Sequence, residues 1–393
     1  MSASPTPRTT GHPAVLDRIA EVQFSAVRVP LATAISDAKV FTGRQRPLTE
    51  VAILLAEVRT ELGDEGIGFS YSKRAGGPAQ FAHAVEVGPD LIGEDPADIQ
   101  RLWTKLVWAG ASVGRSGAAT QAIAAVDIAL WDLKAKRARL PLAKLLGARR
   151  DSVRCYDTSG GFLHEPVAQI VDNATRILES GVGGIKIKVG HPDRAEDLRR
   201  VGAIRERLGE SVALMVDANQ QWDRATALRI GRALEDFRLT WIEEPLDAYD
   251  AEGHAGLRQR LDTAIASGEM LTSVAEHQEL IRAQAVDILQ PDAARIGGIT
   301  QFLRVAALAD QSHMHVAPHF AMEIHAHLAA AYPREPWVEH FDWLSPLFDE
   351  RLDIHDGRIH LSPRPGLGLT ISEQARTWTS QRAVIDACGV RSL

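Results

Sequence analysis

Apolar and polar positions from Ile19 to Phe69 follow a strand-like pattern. Glu21–Val29 alternates, and Val51–Val58 is a run with few polar interruptions. A strand sends successive side chains to opposite faces, so the pattern predicts three strands, with turns at Arg44–Pro47 and Gly63-Asp64-Glu65-Gly66. Ser70–Gly77 reads as a glycine-flanked loop. The period then becomes helical, with apolar residues three and four apart in Pro78–Val87, Pro96–Trp108 and Gly117–Lys136. Pro78 and Pro96 open the first two helices, where proline is tolerated. Three strands followed by three helices predict an α+β unit over residues 19–150.

After Asp151 the pattern changes to short β runs alternating with amphipathic helices. Strands are expected at Val153–Tyr156, Gly184–Val189, Ala213–Asp217, Leu239–Glu243, Thr263–Gly268, Ile288–Gln290 and His315–Ala317. An eighth ends near Glu339. Such alternation implies parallel strands joined by crossover helices. About eight units in roughly 190 residues suit a (β/α) barrel of the TIM type over 151–345, with the α+β unit as a capping domain. Residues 346–393, including short strands in Asp353–Pro363, are expected to return to that capping unit. Residues 1–18 read as a disordered tail, because Met1–Pro13 is rich in Ser, Thr and Pro without an apolar core.

Functional side chains of a barrel gather where strands end and loops begin. Lys188, Asp217, Glu243, Glu269, Asp292 and His319 all fall there, separated in turn by 29, 26, 26, 23 and 27 residues. One βα unit needs about this length, so these side chains converge on one ring. Three neighbouring carboxylates, Asp217, Glu243 and Glu269, would repel one another unless a cation joined them. With only oxygen ligands the expected ion is Mg²⁺; zinc would call for His or Cys. Acids that merely favour helix N-termini could explain one of the three, but hardly three in succession. Lys186 and Lys188 are two apart on one strand and share a face. Each should lower the other's pKa and so favour a neutral amine as base. His319 is expected to pair with Asp292, which would fix its tautomer. His325 and His327 are set aside as a metal pair, since i and i+2 on a helix do not face each other.

Composition narrows the classes. A net charge of −7 without a long basic cluster argues against a nucleic-acid surface. No apolar run is long enough to cross a bilayer. Two distant cysteines, Cys155 and Cys388, suggest no disulfide framework and fit a reducing cytoplasm.

The residues also carry a family resemblance. Ala125-Val-Asp-Ile-Ala-Leu-Trp-Asp132, Lys186-Ile-Lys188, Asp217-Ala-Asn219, Glu243-Glu-Pro245, Gly268-Glu269, Gln290-Pro-Asp292, His319 and Glu339 resemble, in order, the motifs of the mandelate racemase subgroup of the enolase superfamily. The resemblance implies Mg²⁺ on Asp217, Glu243 and Glu269, and Lys188 and His319 as opposed bases supported by Asp292. It implies that Lys186 and Asn219 surround the substrate carboxylate, and that Glu339 hydrogen-bonds its other oxygen as charge builds. Ser70–Gly77, Val216–Trp222 and Ala317–Glu323 look most like those of dehydratases of hexarate diacids. The substrates this implies are galactarate and L-talarate, whose epimeric α-protons a base on each face could reach, with epimerisation as a competing outcome. Lys73 and Arg74 are candidates for the distal carboxylate. The resemblance also implies a homo-oligomer, an octamer by analogy. Two alternatives stay open: a dehydratase or racemase for another acid, and an acid-sugar binder without catalysis.

Overall fold

The computed structural model describes residues 17–393. Of the expected tail, residues 1–18, residues 1–16 lie outside the described residues. Asp17 and Arg18, counted with that tail, are tied down: Leu62 N donates to Asp17 at 3.0 Å, and Arg18 Nη1 donates to the Gly93 carbonyl at 2.8 Å.

The first three strands are β1 (Ile19–Ile35), β2 (Leu48–Thr60) and β3 (Glu65–Lys73). They form an antiparallel meander inside a five-stranded sheet. Alternation decides what each face covers. Val22, Phe24, Leu54, Ala56 and Val58 pack on the helices Gly77–Val87, Ile99–Ala109 and Gly117–Arg137. Val27, Val29, Val51, Ile53, Leu55, Phe69 and Tyr71 turn the other way and join the core of the second unit. Each such buried apolar side chain contributes about 1.5–3 kcal/mol relative to exposure. The second helix opens at Ile99, after Asp98, and not at Pro96.

Two expectations for this region give way. The turn expected at Gly63–Gly66 falls earlier, because Glu65 and Gly66 already pair with Arg59 and Val58. The segment read as a loop, Ser70–Gly77, remains strand as far as Lys73, which pairs with Val51. β3 lies hard against the helix Gly117–Arg137: a Cβ on Gly68 would stand 2.2 Å from the Ala125 carbonyl oxygen. Glycine at that position permits a backbone approach that any other residue would block. The same helix supplies two buried carboxylates as stitches. Asp132 accepts from Ile67 N at 2.9 Å and Leu367 N at 2.7 Å, and Asp127 accepts from Thr300 N at 2.9 Å.

The second unit is a parallel barrel: β4 (Ser152–Asp157), β5 (Gly184–Lys188), β6 (Ala213–Asp217), β7 (Trp241–Glu243), β8 (Ile265–Ser267), β9 (Ile288–Leu289), β10 (His315–Val316) and β11 (Trp337–His340). The ladders run β11-β4-β5-β6-β7-β8-β9-β10. No ladder joins β10 to β11 among the described residues; across that seam Phe320 N donates to the Glu339 carboxylate at 2.9 Å. Side-chain caps start several of the flanking helices: Asp193, Asp223, Asp250 and Ser273 each accept from a backbone N–H one turn in. Tyr156, Met215, Trp241, Ala266 and Ala317 fill the barrel interior beneath the strand ends.

The C-terminal segment divides. The hairpin β12 (Asp353–His355) and β13 (Arg358–His360) pairs antiparallel with β4, so it belongs to the barrel and not to the first sheet as expected. Arg358 fixes it there by donating to Ser152 Oγ at 2.7 Å and Ser152 O at 2.9 Å. Only β14 (Thr379–Asp386) and β15 (Gly389–Ser392) return to the first sheet, β14 pairing with β1. No helix among the described residues is long and apolar enough to cross a membrane.

Candidate active site

Parallel, in-register pairing sets the geometry at the strand ends. Lys188 lies opposite Asp217, and Asp217 opposite Glu243, so three charged side chains stand at one level. Glu269 joins them from the loop after β8. Gly268 makes this possible with φ +134°, and a Cβ there would crowd Gln290 N at 3.2 Å. Carboxylate oxygens of Asp217, Glu243 and Glu269 all lie within 4.8 Å of one another, and all three residues are buried.

The trio is short of positive charge. Burial raises Glu243 to about 8; Lys186 opposes this, while Asp217, Glu269 and Glu339 add to it. Three buried, all-oxygen donors, of which Glu243 holds a proton this tightly, fit a hard divalent cation such as Mg²⁺. Asn219 orients Asp217 through N–H to Oδ1 at 2.8 Å and Nδ2 to Oδ2 at 3.0 Å. Trp241 Nε1 and Gln290 Nε2 hold Glu243 Oε2 at 3.0 and 2.7 Å.

The two lysines have different partners. Lys186 donates to Glu243 Oε1 at 2.6 Å and lies 2.7 Å from Glu339 Oε1. Lys188 donates to Asp217. The mutual depression expected of this pair is outweighed. Burial lowers both, and Lys186 does lower Lys188, but Asp217 raises Lys188, and Glu243 with Glu339 raises Lys186 well above its usual value. In this arrangement both are ammonium ions.

Glu339 accepts from Thr158 Oγ at 2.8 Å and Phe320 N at 2.9 Å besides its contact with Lys186. Burial would raise its pKa, yet Lys186 and His319 hold it down to about 2. It is therefore an ionised acceptor here, with Lys186, Thr158 and the barrel seam as its partners.

His319 sits just past β10 and is buried. Its Nδ1 lies 3.0 Å from Asp292 Oδ2, and its Nε2 lies 3.3 Å from Glu269 Oε2. With Nδ1 directed at Asp292, Nε2 is the nitrogen that faces Glu269 and the cavity. Asp292 also caps a short helix through Ala294 N at 2.9 Å. Burial would raise its pKa, but His319, His325 and Tyr71 bring it below the usual carboxylate range.

A cavity of about 230 Å³ opens over these groups, lined among others by Lys188, Asn219, Glu269, His319, Glu339, Lys73, Arg74 and Arg295. Lys73 Nζ stands 4.7 Å from the Phe320 ring centre, 5.6 Å from Trp343 and 5.7 Å from Tyr71. Burial lowers it to about 8, against the pull of Glu269 and Glu339. Arg74 is engaged elsewhere, donating to the Arg46 carbonyl at 2.6 Å and to Asp37 at 3.2 Å, so it braces the 37–48 segment at the rim.

Sequence reasoning missed Tyr71 and Arg295. Tyr71 OH donates to Asp292 Oδ2 at 2.5 Å and lies 3.2 Å from His319 Nδ1. Its signal was available: with Phe69 and Lys73 it shares one face of β3. Arg295, three residues after Asp292, lies close enough to Tyr71, Asp292 and Glu269 for them to raise its pKa against burial.

The chain matches two family models: "Mandelate racemase / muconate lactonizing enzyme, N-terminal domain" over residues 40–147, and "Enolase C-terminal domain-like" over residues 169–375. It is 64% identical over 363 residues to the L-talarate/galactarate dehydratase of Salmonella typhimurium LT2, covering 92% of this chain and 91% of that one. A crystal structure of the Salmonella enzyme, liganded with Mg and L-lyxarohydroxamate, superposes with a TM-score of 0.93 at 61% identity, covering 98% of this chain and 97% of the other. The L-talarate dehydratase of Polaromonas sp. JS666, complexed with Mg and L-glucarate, gives a TM-score of 0.92 at 65% identity, covering 94% of this chain and 100% of that one.

Proposed function

This chain belongs to the mandelate racemase / muconate lactonizing enzyme family on the enolase fold, and from that premise we propose that it is a Mg²⁺-dependent hydro-lyase of hexarate diacids. Its substrates are galactarate and L-talarate, each converted to 5-keto-4-deoxy-glucarate. The observation that carries this reading is the placement of Lys188 at the end of β5 and His319 just past β10, lining one cavity beside the carboxylate trio.

Asp217, Glu243 and Glu269 would hold the ion, which when bound supplies positive charge beside the substrate carboxylate. Lys188 or His319, according to the epimer, takes the α-proton. Lys188 becomes a base once the charge of Asp217 is met by another cation and no longer by the ammonium itself. His319 is a base through Nε2, with Asp292 holding Nδ1. The electron pair left on the α-carbon forms the new double bond as the β-hydroxyl departs. A protonated general acid on the site gives that hydroxyl its proton, and it leaves as water. The enol then tautomerises to the keto acid. A base on each face also permits epimerisation as a side reaction.

Lys73, caged by aromatic rings and free of ion pairs among the described residues, is the group offered to the distal carboxylate. Arg74 acts from the rim. Assembly as a homo-oligomer and residence in the cytoplasm, with Cys155 and Cys388 as free thiols, belong to the same proposal. A screen of the purified protein with Mg²⁺ against mono- and diacid sugars, detecting keto product, tests it. Turnover of galactarate and L-talarate is expected. Turnover confined to monoacids would replace the substrate assignment, and α-proton exchange without dehydration would point to a racemase.

A further inference from the structure

The carboxylate of Asp292 is held by donors from two parts of the fold. Oδ1 takes the Ala294 N–H at 2.9 Å from its own helix start. Oδ2 takes two donors, His319 Nδ1 at 3.0 Å and Tyr71 OH at 2.5 Å. Tyr71 comes from β3 of the first sheet, 221 residues away in the chain. It is fully buried, so its hydroxyl has no water to fall back on. Its own position is fixed on several sides. β3 pairs it with Ile53, its carbonyl accepts from Gln80 Nε2 at 3.1 Å, and its ring meets Phe320 edge-on at 4.6 Å. A buried tyrosine hydroxyl normally finds some partner. This one finds the same oxygen that orients His319, and sits within 3.2 Å of the imidazole nitrogen itself.

Among the described residues, no side chain of the first sheet hydrogen-bonds Lys188 or its partner Asp217. Lys188 is anchored through Asp217 and Asn219, both in the barrel. The first sheet therefore makes a direct hydrogen bond to the support of one base only.

We propose that Tyr71 is a positioning residue for the His319 side of the reaction: its hydroxyl fixes Asp292, and through it the imidazole, so that proton transfer by His319, but not by Lys188, depends on the seating of the first sheet. Without that hydroxyl Oδ2 loses one of its two donors and the carboxylate is free to pivot. Outer partners that orient a metal-ligating histidine typically matter by about 10- to 100-fold in activity, and the same scale is expected for the His319–Asp292 dyad. The inference rests on the dual-base reading above.

The test is a double-mutant cycle on the Mg²⁺-loaded enzyme with Tyr71→Phe, Asp292→Asn and the combination, measuring kcat and KM on both diacids. Tyr71→Phe keeps the ring and its packing. On whichever diacid His319→Asn slows, a fall in kcat of about 10- to 100-fold is expected, with KM changed by less than about threefold. In the Asp292→Asn background the same change should alter kcat by less than about twofold. Added to His319→Asn, it should leave residual α-proton exchange in D₂O unchanged. Multiplying losses, an equal loss of the His319-independent exchange, or wild-type kcat in Tyr71→Phe would overturn the inference. If the wild-type protein acts on a different acid sugar, the substrate assignment fails by itself and the cycle is run on that sugar. If it acts on none, the dual-base reading fails, and a crystal structure of Tyr71→Phe decides the positioning role. A turned or split His319 imidazole upholds it, and an unmoved dyad overturns it.

Discussion

Asp217 and Glu243 stand directly opposite each other at the ends of β6 and β7, with no residue of register between them. Burial, with repulsion from Asp217 added to it, keeps the proton on Glu243 up to about 8. A cation binding the folded chain alone should relieve this and stabilise it. At a hundred times its Kd the gain is about 2.7 kcal/mol. Thermal unfolding with Mg²⁺ and with chelator should differ by several degrees, and Asp217→Asn should abolish the difference. Equal Tm values for the wild-type protein would contradict this use of the trio.

The two bases can be separated from the metal. Lys188→Ala and His319→Asn should each lower kcat by about 10²- to 10⁴-fold on at least one epimer. The Mg²⁺-dependent rise in Tm should survive in both. If both variants keep full activity, the bases lie elsewhere.

Lys73 should discriminate by charge at the far end of the substrate. Lys73→Gln is expected to lower kcat/KM on diacids by about 10- to 100-fold, the effect of losing a hydrogen bond between charged groups. Monoacids of the same length should lose much less. Arg74→Ala, which frees Asp37 and the 37–48 segment, should act more weakly and on both classes. Equal losses for mono- and diacids in Lys73→Gln would remove it from the distal site.

His327 predicts an acid-side loss of stability. Both ring nitrogens are engaged while the ring is neutral: Nδ1 accepts from Ala143 N at 3.3 Å, and Nε2 donates to the Leu367 carbonyl at 3.2 Å. Burial lowers its pKa from 6.5 to about 4. The unfolded chain therefore binds this proton first. The contribution is complete above about pH 6.5 and disappears as pH falls toward 4, to a total of ~3 kcal/mol. Denaturant titrations should show His327→Gln less stable than wild type at pH 7, with the gap closing by pH 4. A gap independent of pH would contradict the assignment.

The barrel was legible because its information is periodic. Each βα unit returns to the same rim, so Lys188, Asp217, Glu243, Glu269, Asp292 and His319 recur at one-unit spacing. The first sheet's contribution carries no such period. Tyr71 meets Asp292 across 221 residues, and it lies in a segment whose Ser, Lys, Arg and Gly content reads as loop. Pairing of Lys73 with Val51 overrides that local preference. The hairpin Asp353–His360 was misplaced for a related reason. Short strands do not announce their partner, and here the choice is made by Arg358 reaching Ser152. The lysine pair shows a different limit. Spacing gave a shared face, but the sign of the pKa shift depends on Asp217, Glu243 and Glu339, which only the folded chain brings near.

The most direct test follows galactarate and L-talarate separately by ¹H NMR in D₂O with the purified protein and Mg²⁺. The account predicts that both disappear and give one and the same keto-deoxy diacid, because the proposed mechanism sets a base on each face of the site. A spectrum in which neither diacid changes, or in which one epimer is consumed while the other stays inert, would contradict it.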